Sequence, residues 1–343
     1  MSETLLRLRL RLGAVWARVQ DDRGLAAVVF AMTLPAVLGM CAVVVDGTRL
    51  FVERRELQNA ADAAALAAAV YLPSTDPVIL QRARDEAIAF AALNGFVIDG
   101  GDIDFTSDAE VNDRVTVRTS GDVTFTFAKG LGLTVGAVSS RGSAQIGIVG
   151  ALGGVMPWGV EDPVGGFVFG DSYCLKLGSG GGGGGCDDHA QGNFHALDID
   201  DLGNDSASEY RDRIRYGSNK VIRVGDVKNV SSGNMQGPTQ QGTGCSGSSG
   251  RISGNAQVFE DVIEALSPGY RVLDWTSPRL VVIPVVSFPN SSIAIVEGFS
   301  VFFIEGCEAG GAVTGRFIDT IVPGGEWAAW DAGAGTRMVR LVE

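Results

Sequence analysis

The sequence has 343 residues, 45% apolar and 20% charged, which is enough material for two folded units. Its net charge is −13, and because phosphate binding needs clustered Lys and Arg, this acidic composition argues against nucleic acid as a partner. The 48 glycines follow no Gly-x-y period, which excludes a collagen helix.

The chain begins with a basic arm and continues into an uncharged run at 24–45. A helix over this run is about 33 Å long, close to the hydrocarbon thickness of a bilayer. Pro35 lies within it, and proline is tolerated in membrane helices. A cleaved signal would have a shorter apolar region ending in a small-x-small site, whereas this run ends in Val-Val-Val before Asp46. The pattern therefore predicts a permanent transmembrane helix at 24–45.

Arginines on either side of this run predict its orientation. Five precede it within the arm at 1–23: Arg7, Arg9, Arg11, Arg18 and Arg23. Three follow it closely: Arg49, Arg54 and Arg55. Because the positive-inside rule counts Lys and Arg, we expect the amino terminus in the cytoplasm and the bulk of the chain on the other side of the membrane. The arm is either solvated or lies along the inner leaflet.

The helical signal continues past the membrane. Residues 48–71 consist mostly of strong helix formers, Pro73 supplies a stop, and small residues form a weak apolar stripe. This pattern predicts an alanine-rich stalk. Its stripe could pack on the protein's own domain or self-associate with a like helix, since small side chains allow close approach.

The segment 23–70 contains a specific string: Leu57, Gln58, Asn59, Ala60, Ala61, Asp62, Ala63, Ala64, Ala65, Leu66. It is preceded by Arg23-Gly24, Leu34-Pro35, Val45-Asp46, Arg49-Leu50 and Arg54. With these residues the segment resembles the TadG-like amino-terminal region of bacterial Flp (Tad) pilus-assembly proteins. The resemblance implies a single-pass protein of the bacterial cytoplasmic membrane, with the bulk of the chain in the periplasm or at the cell surface. It also implies a component of a machine that builds adhesive pili, with other Tad/Flp assembly components as partners through the transmembrane and stalk helices. It implies no catalytic residues.

Two features of related proteins are missing from the sequence. Some larger TadG proteins carry a von Willebrand factor A-like domain with an Asp-x-Ser-x-Ser metal motif, and this chain has no such string. A prepilin peptidase site would have Glu at the fifth position after its glycine, whereas Val29 stands there after Gly24.

Residues 46–150 are predicted to form the stalk and a small α+β unit. A second helix is expected at 76–94, with Asp76 as N-cap and Pro77 in the first turn. Alternating stretches near 103–105, 115–119, 123–127 and 144–148 predict strands. A long helix on a small antiparallel sheet results, and this arrangement resembles pilin-like modules.

Residues 151–343 are predicted to form a β-rich, glycine-rich extracytoplasmic domain, because apolar runs such as 279–286 and 300–304 are typical of strands buried on both faces. The glycine run at 178–185 predicts a surface loop. It is no phosphate loop, because Cys-Asp-Asp follows instead of Gly-Lys-Ser.

The four cysteines beyond the membrane suggest two disulfides in an oxidising compartment: Cys174, Cys186, Cys245 and Cys307. Three connectivities are possible. The most local is Cys174 with Cys186 and Cys245 with Cys307. Zinc is disfavoured because no two of these cysteines have ligand spacing, although His189 and His195 lie near Cys186.

The run 198–209 resembles a calcium loop at several positions, which makes Asp198, Asp200 and Glu209 weak metal-ligand candidates. Leu202 stands where an oxygen ligand belongs, and a capped loop before a helix at 206–215 explains the run equally well.

The sequence therefore predicts an α+β protein with an anchor, a stalk, a helix-on-sheet unit and a β-rich disulfide-containing ectodomain. No nucleophile with a base, paired catalytic carboxylates or cofactor motif stands out, so we expect no enzyme and no cofactor. The favoured function is structural or scaffolding work in Flp/Tad pilus assembly. The alternative is a membrane-anchored binding or adhesion module for calcium, a glycan or a surface partner.

Overall fold

The computed structural model of the protein describes residues 22–162, 166–177, 190–203, 206–231, 235–245, 247, 249–266, 269–308, 311–329 and 336–342. Most of the basic arm, the glycine run at 178–185, Cys186 and His189 lie outside these residues.

A long helix opens the described chain and continues from Gly24 to Ala69. It consists of α1 (Asp22–Cys41), one π-helical turn (Ala42–Asp46) and α2 (Gly47–Ala69). Pro35 lies inside α1. The predicted passage from an apolar helix into the stalk is therefore present. A second helix, α3 (Pro77–Leu93), begins where expected, because the Asp76 side chain caps it by accepting a hydrogen bond from the Val78 backbone N–H.

The first sheet packs beneath α2 and α3, and its strands run in the order β1-β2-β3-β16-β14, with β7 and β15 also paired to β3. Its strands are β1 (Ile103–Thr106), β2 (Arg114–Thr124), β3 (Val135–Leu152), β7 (Ile222–Arg223), β14 (Thr320–Ile321), β15 (Glu326–Ala328) and β16 (Thr336–Val342). The sheet is not completed within 46–150, because β3 runs through that boundary and β16 pairs with it from Ser143 to Ile148. The predicted division at 150 therefore differs from the structure, in which the carboxy-terminal strands return to the first unit.

The second sheet closes into a six-stranded barrel in the order β11-β4-β6-β5-β13-β12, with β12 pairing back to β11. Its strands are β4 (Trp158–Val160), β5 (Ser172–Leu177), β6 (Ala190–Ala196), β11 (Leu280–Asn290), β12 (Ile293–Cys307) and β13 (Val313–Ile318), and β8 (Val227–Asn229) pairs outside the ring with β12. The remaining elements are α4 (Ala207–Tyr216), α5 (Gln236–Thr243), α6 (Phe259–Val262) and the hairpin β9 (Ile263–Ala265) with β10 (Tyr270–Val272).

The apolar runs of β11 and β12 are buried on both faces, as their sequences predicted. Along β12, Phe302 and Ile304 belong to a cluster to which all six barrel strands contribute, and this cluster fills the barrel. Val301 and Phe303 point to a second cluster that also contains Val149 of β3. The second cluster joins the barrel to the first sheet, so the two units share a continuous apolar contact.

Candidate functional site

The first part of the site is α1, whose large apolar side chains are exposed along its length. Phe30 is 65% exposed and Met32 77%, and no protein surface covers them among the described residues. This is the one helix in the described part of the chain that is long and apolar enough to cross a membrane. Because exposed side chains of this kind are unfavourable in water, α1 is suited to be a single-pass anchor.

The stalk helix α2 carries the motif string, and one face of that string forms part of the core. Five motif residues are fully buried: Leu57, Ala60, Ala61, Ala64 and Ala65. The helix that carries them packs against the first sheet, and Ala64 and Ala65 share a cluster with Ala83, Ala87 and Ala91 of α3. The stripe therefore packs on the protein's own domain. A like helix could contact these alanines only by displacing the sheet.

Small residues on the strand side make this close packing possible. A Cβ on Gly142 of β3 would lie 2.5 Å from the Ala61 carbonyl carbon and from the Asp62 backbone nitrogen. Such a distance is a severe overlap, so only glycine allows β3 to approach the helix this closely. Gly142 belongs to the same packing arrangement as the motif, although it lies outside the string.

Polar side chains fix the helix on the sheet. The Thr119 hydroxyl donates to the Leu57 carbonyl at 3.0 Å. The Gln58 amide donates to the Asp62 carboxylate at 2.8 Å and to the Arg141 carbonyl at 2.9 Å. Two polar positions of the motif string, Gln58 and Asp62, are therefore linked to each other and to β3. They act in the fold: one face of the motif string is buried, Gln58 and Asp62 lie at the edge of that face, and Asn59 is exposed.

The junction between anchor and stalk contains the site feature that sequence reasoning missed. Asp46, 3% exposed, lies in the π-helical turn, and its carboxylate accepts hydrogen bonds from the backbone N–H groups of Thr126, Phe127 and Ala128 at 2.8, 3.0 and 2.7 Å. One turn later, Arg49 Nη1 donates to the Thr126 hydroxyl at 2.8 Å. The sequence showed Asp46 as the first charge after the apolar run and as a position of the family resemblance, but not as a partner of the segment 126–128. Its position directly at the end of that run was the available signal.

The cysteines lie beyond this region, in the barrel unit. Cys245, just after α5, is joined to Cys307 at the end of β12 by a disulfide with a Cα–Cα distance of 5.8 Å. Cys174 of β5 is also disulfide-bonded, and its predicted partner Cys186 lies outside the described residues. Cys41 of α1 is a free thiol.

The calcium candidates have protein partners in the described part of the loop. The Asp198 carboxylate accepts from the backbone N–H groups of Leu202 and Gly203 at 3.0 and 2.9 Å. Asp200 pairs with Arg213 at 2.5 Å. Glu209 lies in the first turn of α4, which Ser206 caps. The residues that the structure describes contain no group of three or more metal-ligating side chains. Calcium binding stays a prediction, and an ion would have to replace these partners.

His195 lies in β6, and its ring packs against the Phe288 ring with 4.5 Å between centroids. Burial lowers the pKa of His195, and the nearby Glu161 partly opposes this effect. The side chain has the surroundings of a packed histidine.

Comparison with known proteins identifies a family resemblance in the segment 24–70. No significant match was found among curated proteins or among solved structures. Residues 24–70 match the family model described as "Putative Flp pilus-assembly TadE/G-like". The matched residues are α1, the π-helical turn and α2, which are the anchor and the buried stalk face described above. The resemblance predicted from the sequence is thus confirmed for this segment, which is similar to the amino-terminal region of the Flp pilus-assembly TadE/G-like family.

Proposed function

We propose that the protein is a non-enzymatic, membrane-anchored scaffold of Flp/Tad-type pilus assembly. The observation that carries this proposal is the family match at 24–70, which supports involvement in Flp pilus assembly and coincides with the exposed apolar helix and the stalk. The chain contributes an anchor with unpartnered apolar side chains and, beyond it, a large folded body. These are the parts that a scaffold needs, and no chemical step is assigned to them.

The proposed topology places the amino terminus in the cytoplasm and the ectodomain outside. Two observations support it. More arginines precede the apolar run than closely follow it, and the Cys245–Cys307 bond needs an oxidising compartment to form and persist. Protease added to spheroplasts should degrade the ectodomain, and Cys307 should resist alkylation until a reductant is added. An untouched ectodomain with freely alkylated thiols would reverse the topology.

The helix-on-sheet unit is proposed to be a pilin-like module in this scaffold. Support comes from the packing of α2 on a mostly antiparallel sheet, and of α3 on α2, directly beyond the anchor. Because the alanine stripe of α2 is buried on this sheet, we propose that other Tad/Flp components contact the exposed apolar side chains of α1 and, on α2, Phe51 and Val52.

Gene deletion tests the function. Cells without the protein should lose surface pili while the amount of the major pilin stays normal, and the complete chain supplied in trans should restore pili. Intact pili in the deletion strain would contradict the scaffold function and would favour the binding or adhesion module. Purification of the full chain in mild detergent would then identify the ligand or partner that co-purifies with it.

A second strain tests the role of α1. In it, residues 24–45 are replaced by an unrelated apolar helix of the same length. If α1 contacts other assembly components, this chain should reach the membrane and still fail to restore pili. Full restoration would mean that α1 serves as an anchor alone.

A further inference from the structure

The loop between β2 and β3 lies against the last turn of the membrane helix. Its short 3₁₀ turn, Ala128–Leu131, contacts the π-helical turn Ala42–Asp46 and leaves Ala42 only 8% exposed. Ala42 belongs to the uncharged run that ends before Asp46. The loop therefore covers the helix from Asp46, the first charged residue after this run, back to Ala42, a distance of about 6 Å along the helix axis.

Three contacts hold the loop in this position. Asp46 accepts its three backbone hydrogen bonds at one end of the loop. Arg49 donates to the Thr126 hydroxyl and, at 3.3 Å, to the Thr124 carbonyl. The Phe125 ring lies over Gly136, where a Cβ would come within 2.5 Å of it and within 3.1 Å of Leu50. The loop is thereby fixed to the helix, and its depth follows the depth of the anchor.

The exposed surface of this hairpin end is apolar and carries one positive charge. Leu133 is 59% exposed and Val135 is 51% exposed, and Val43 of the neighbouring helical turn is 76% exposed. Lys129 is exposed and is the single charged residue between Asp122 and Arg141. In a chain with 40 acidic residues, this end of the hairpin lacks any.

We propose that the loop at 125–134 is a membrane-interface anchor, seated in the headgroup layer beside the exit point of α1. The headgroup region is roughly 5–8 Å thick on each side of the hydrocarbon core, which matches the reach of the loop. Leu133 of the loop and Val135, the first residue of β3, lie at the boundary between headgroups and acyl chains. The Lys129 ammonium reaches the lipid phosphates while its alkyl stem stays in apolar surroundings.

This arrangement gives the ectodomain a second point of contact with the membrane. A single helix allows a folded body to tilt about its exit point, whereas a helix and a loop fixed side by side restrict that tilt. The barrel would then be presented at a defined angle. The inference rests on the proposed anchoring by α1, and it holds on whichever side of the membrane the ectodomain lies.

The test uses the complete chain in nanodiscs of phosphatidylcholine and phosphatidylglycerol. Cys41→Ala removes the free thiol, and Leu133→Cys introduces a site for an NBD fluorophore. The matched control is Leu273→Cys, because Leu273 is 54% exposed. Its neighbours Val272 and Trp275 share a cavity with Tyr71, at the end of the stalk about 36 Å from Asp46. Val37→Cys in α1 reports on the anchor itself.

We expect blue-shifted NBD emission at position 133, quenching by doxyl-labelled lipid and protection from iodide. The probe at position 273 should show no blue shift and no quenching by doxyl-labelled lipid, and iodide should quench it. Equal iodide quenching at positions 133 and 273, with the Val37 probe still quenched by lipid, would overturn the loop anchor while leaving the membrane helix intact. Loss of lipid quenching at Val37 would instead remove the proposed anchor on which the inference depends.

Lys129→Glu tests the role of the charge. In nanodiscs that contain phosphatidylglycerol, this substitution should increase iodide quenching of the Leu133 probe, because it replaces attraction to the anionic headgroups by repulsion. The Leu273 probe should not respond. An unchanged Leu133 signal would overturn the assignment of Lys129 to the lipid phosphates.

Discussion

The two folded units fill their cores in opposite ways. Between α2, α3 and the first sheet, the fully buried side chains are mostly alanines, such as Ala61, Ala65 and Ala87. Inside the barrel they are large, and Trp158, Phe194, Phe302 and Phe317 lie in contact there. The first unit gains stability from backbones that approach closely, and the second gains it from side chains that fill an enclosed volume.

This difference predicts opposite responses to a change in side-chain size. In the first unit, a Cβ on Gly142 would lie 2.5 Å from backbone atoms of α2. The space between α2 and β3 therefore has no room for added atoms. A closed ring of six strands has a fixed interior, which leaves a cavity when a large side chain is removed.

Phe302→Ala should have the largest effect. The side chain is fully buried, and its ring contacts the tilted ring of Phe317 with 4.8 Å between centroids. Its removal leaves a cavity that the closed barrel cannot collapse to fill. We expect the free energy of unfolding of the barrel to fall by about 3–5 kcal/mol. Peptide-resolved hydrogen exchange on the complete protein in detergent measures this for each unit separately.

The matched control for this variant is Val258→Ala, since Val258 is 54% exposed. Its effect should stay within about 0.5 kcal/mol. If Phe302→Ala had as small an effect as this control, the barrel would not depend on filled volume, and the contrast between the two units would be lost.

Ala61→Leu should have the next largest effect, with the reverse change in size. Ala61 is fully buried beneath β3, so the added atoms must push the strand away from the helix. We expect a loss of about 1–3 kcal/mol from the helix-on-sheet unit, seen as faster exchange in α2 and β3. Ala63→Leu is the control, because Ala63 is half-buried on the same helix and should tolerate leucine. Equal effects at both positions would refute close packing as the cause.

Local patterns in the sequence predicted much of this fold because they are governed by nearby residues. The uncharged run, the alanine-rich stalk and the Asp76 cap each depend on a few neighbouring positions, and the structure contains all three. The motif at 57–66 was also visible, and its buried stripe follows from helical spacing. The apolar runs of β11 and β12 indicated burial on both faces, which the two clusters show.

Long-range pairings could not be predicted in the same way. β16 returns to pair with β3, and β12 pairs back to β11 to close the barrel. The apolar pattern of each strand is the same whether its sheet is open or closed, so the pattern does not reveal these pairings. Helix α6 is only four residues long, because Ile263 to Ala265 pair with β10 instead of continuing it. The strand expected at 123–127 ends at Thr124, since Asp46, 80 residues away from Thr126, accepts the hydrogen bonds that a ladder would otherwise use.

Asp113→Asn should have the smallest effect, and that effect should depend on pH. Asp113 precedes β2 and is fully buried. Burial raises the pKa of its carboxyl, but hydrogen bonds from the backbone N–H groups of Ala109, Asp108 and Glu110 and from the Gln145 amide outweigh this, so the pKa is lowered below its ordinary value. A carboxyl with a lowered folded pKa adds stability above the unfolded pKa of about 3.9, and that stability is lost as the pH falls through the folded value.

The variant should therefore cost the helix-on-sheet unit about 1–2 kcal/mol at pH 7, because the charge-assisted hydrogen bonds are weakened, and progressively less below about pH 4. Unfolding by urea at a series of pH values measures the difference. The control is Asp122→Asn, at an exposed position of β2, whose cost at pH 7 should stay within about 0.5 kcal/mol. If Asp113→Asn lowered the free energy of unfolding by the same amount at pH 3 and pH 7, the charge of Asp113 would add no stability, and only its size and neutral hydrogen bonds would matter. The first unit would then depend on close packing throughout, with no charged group adding to its stability at this turn.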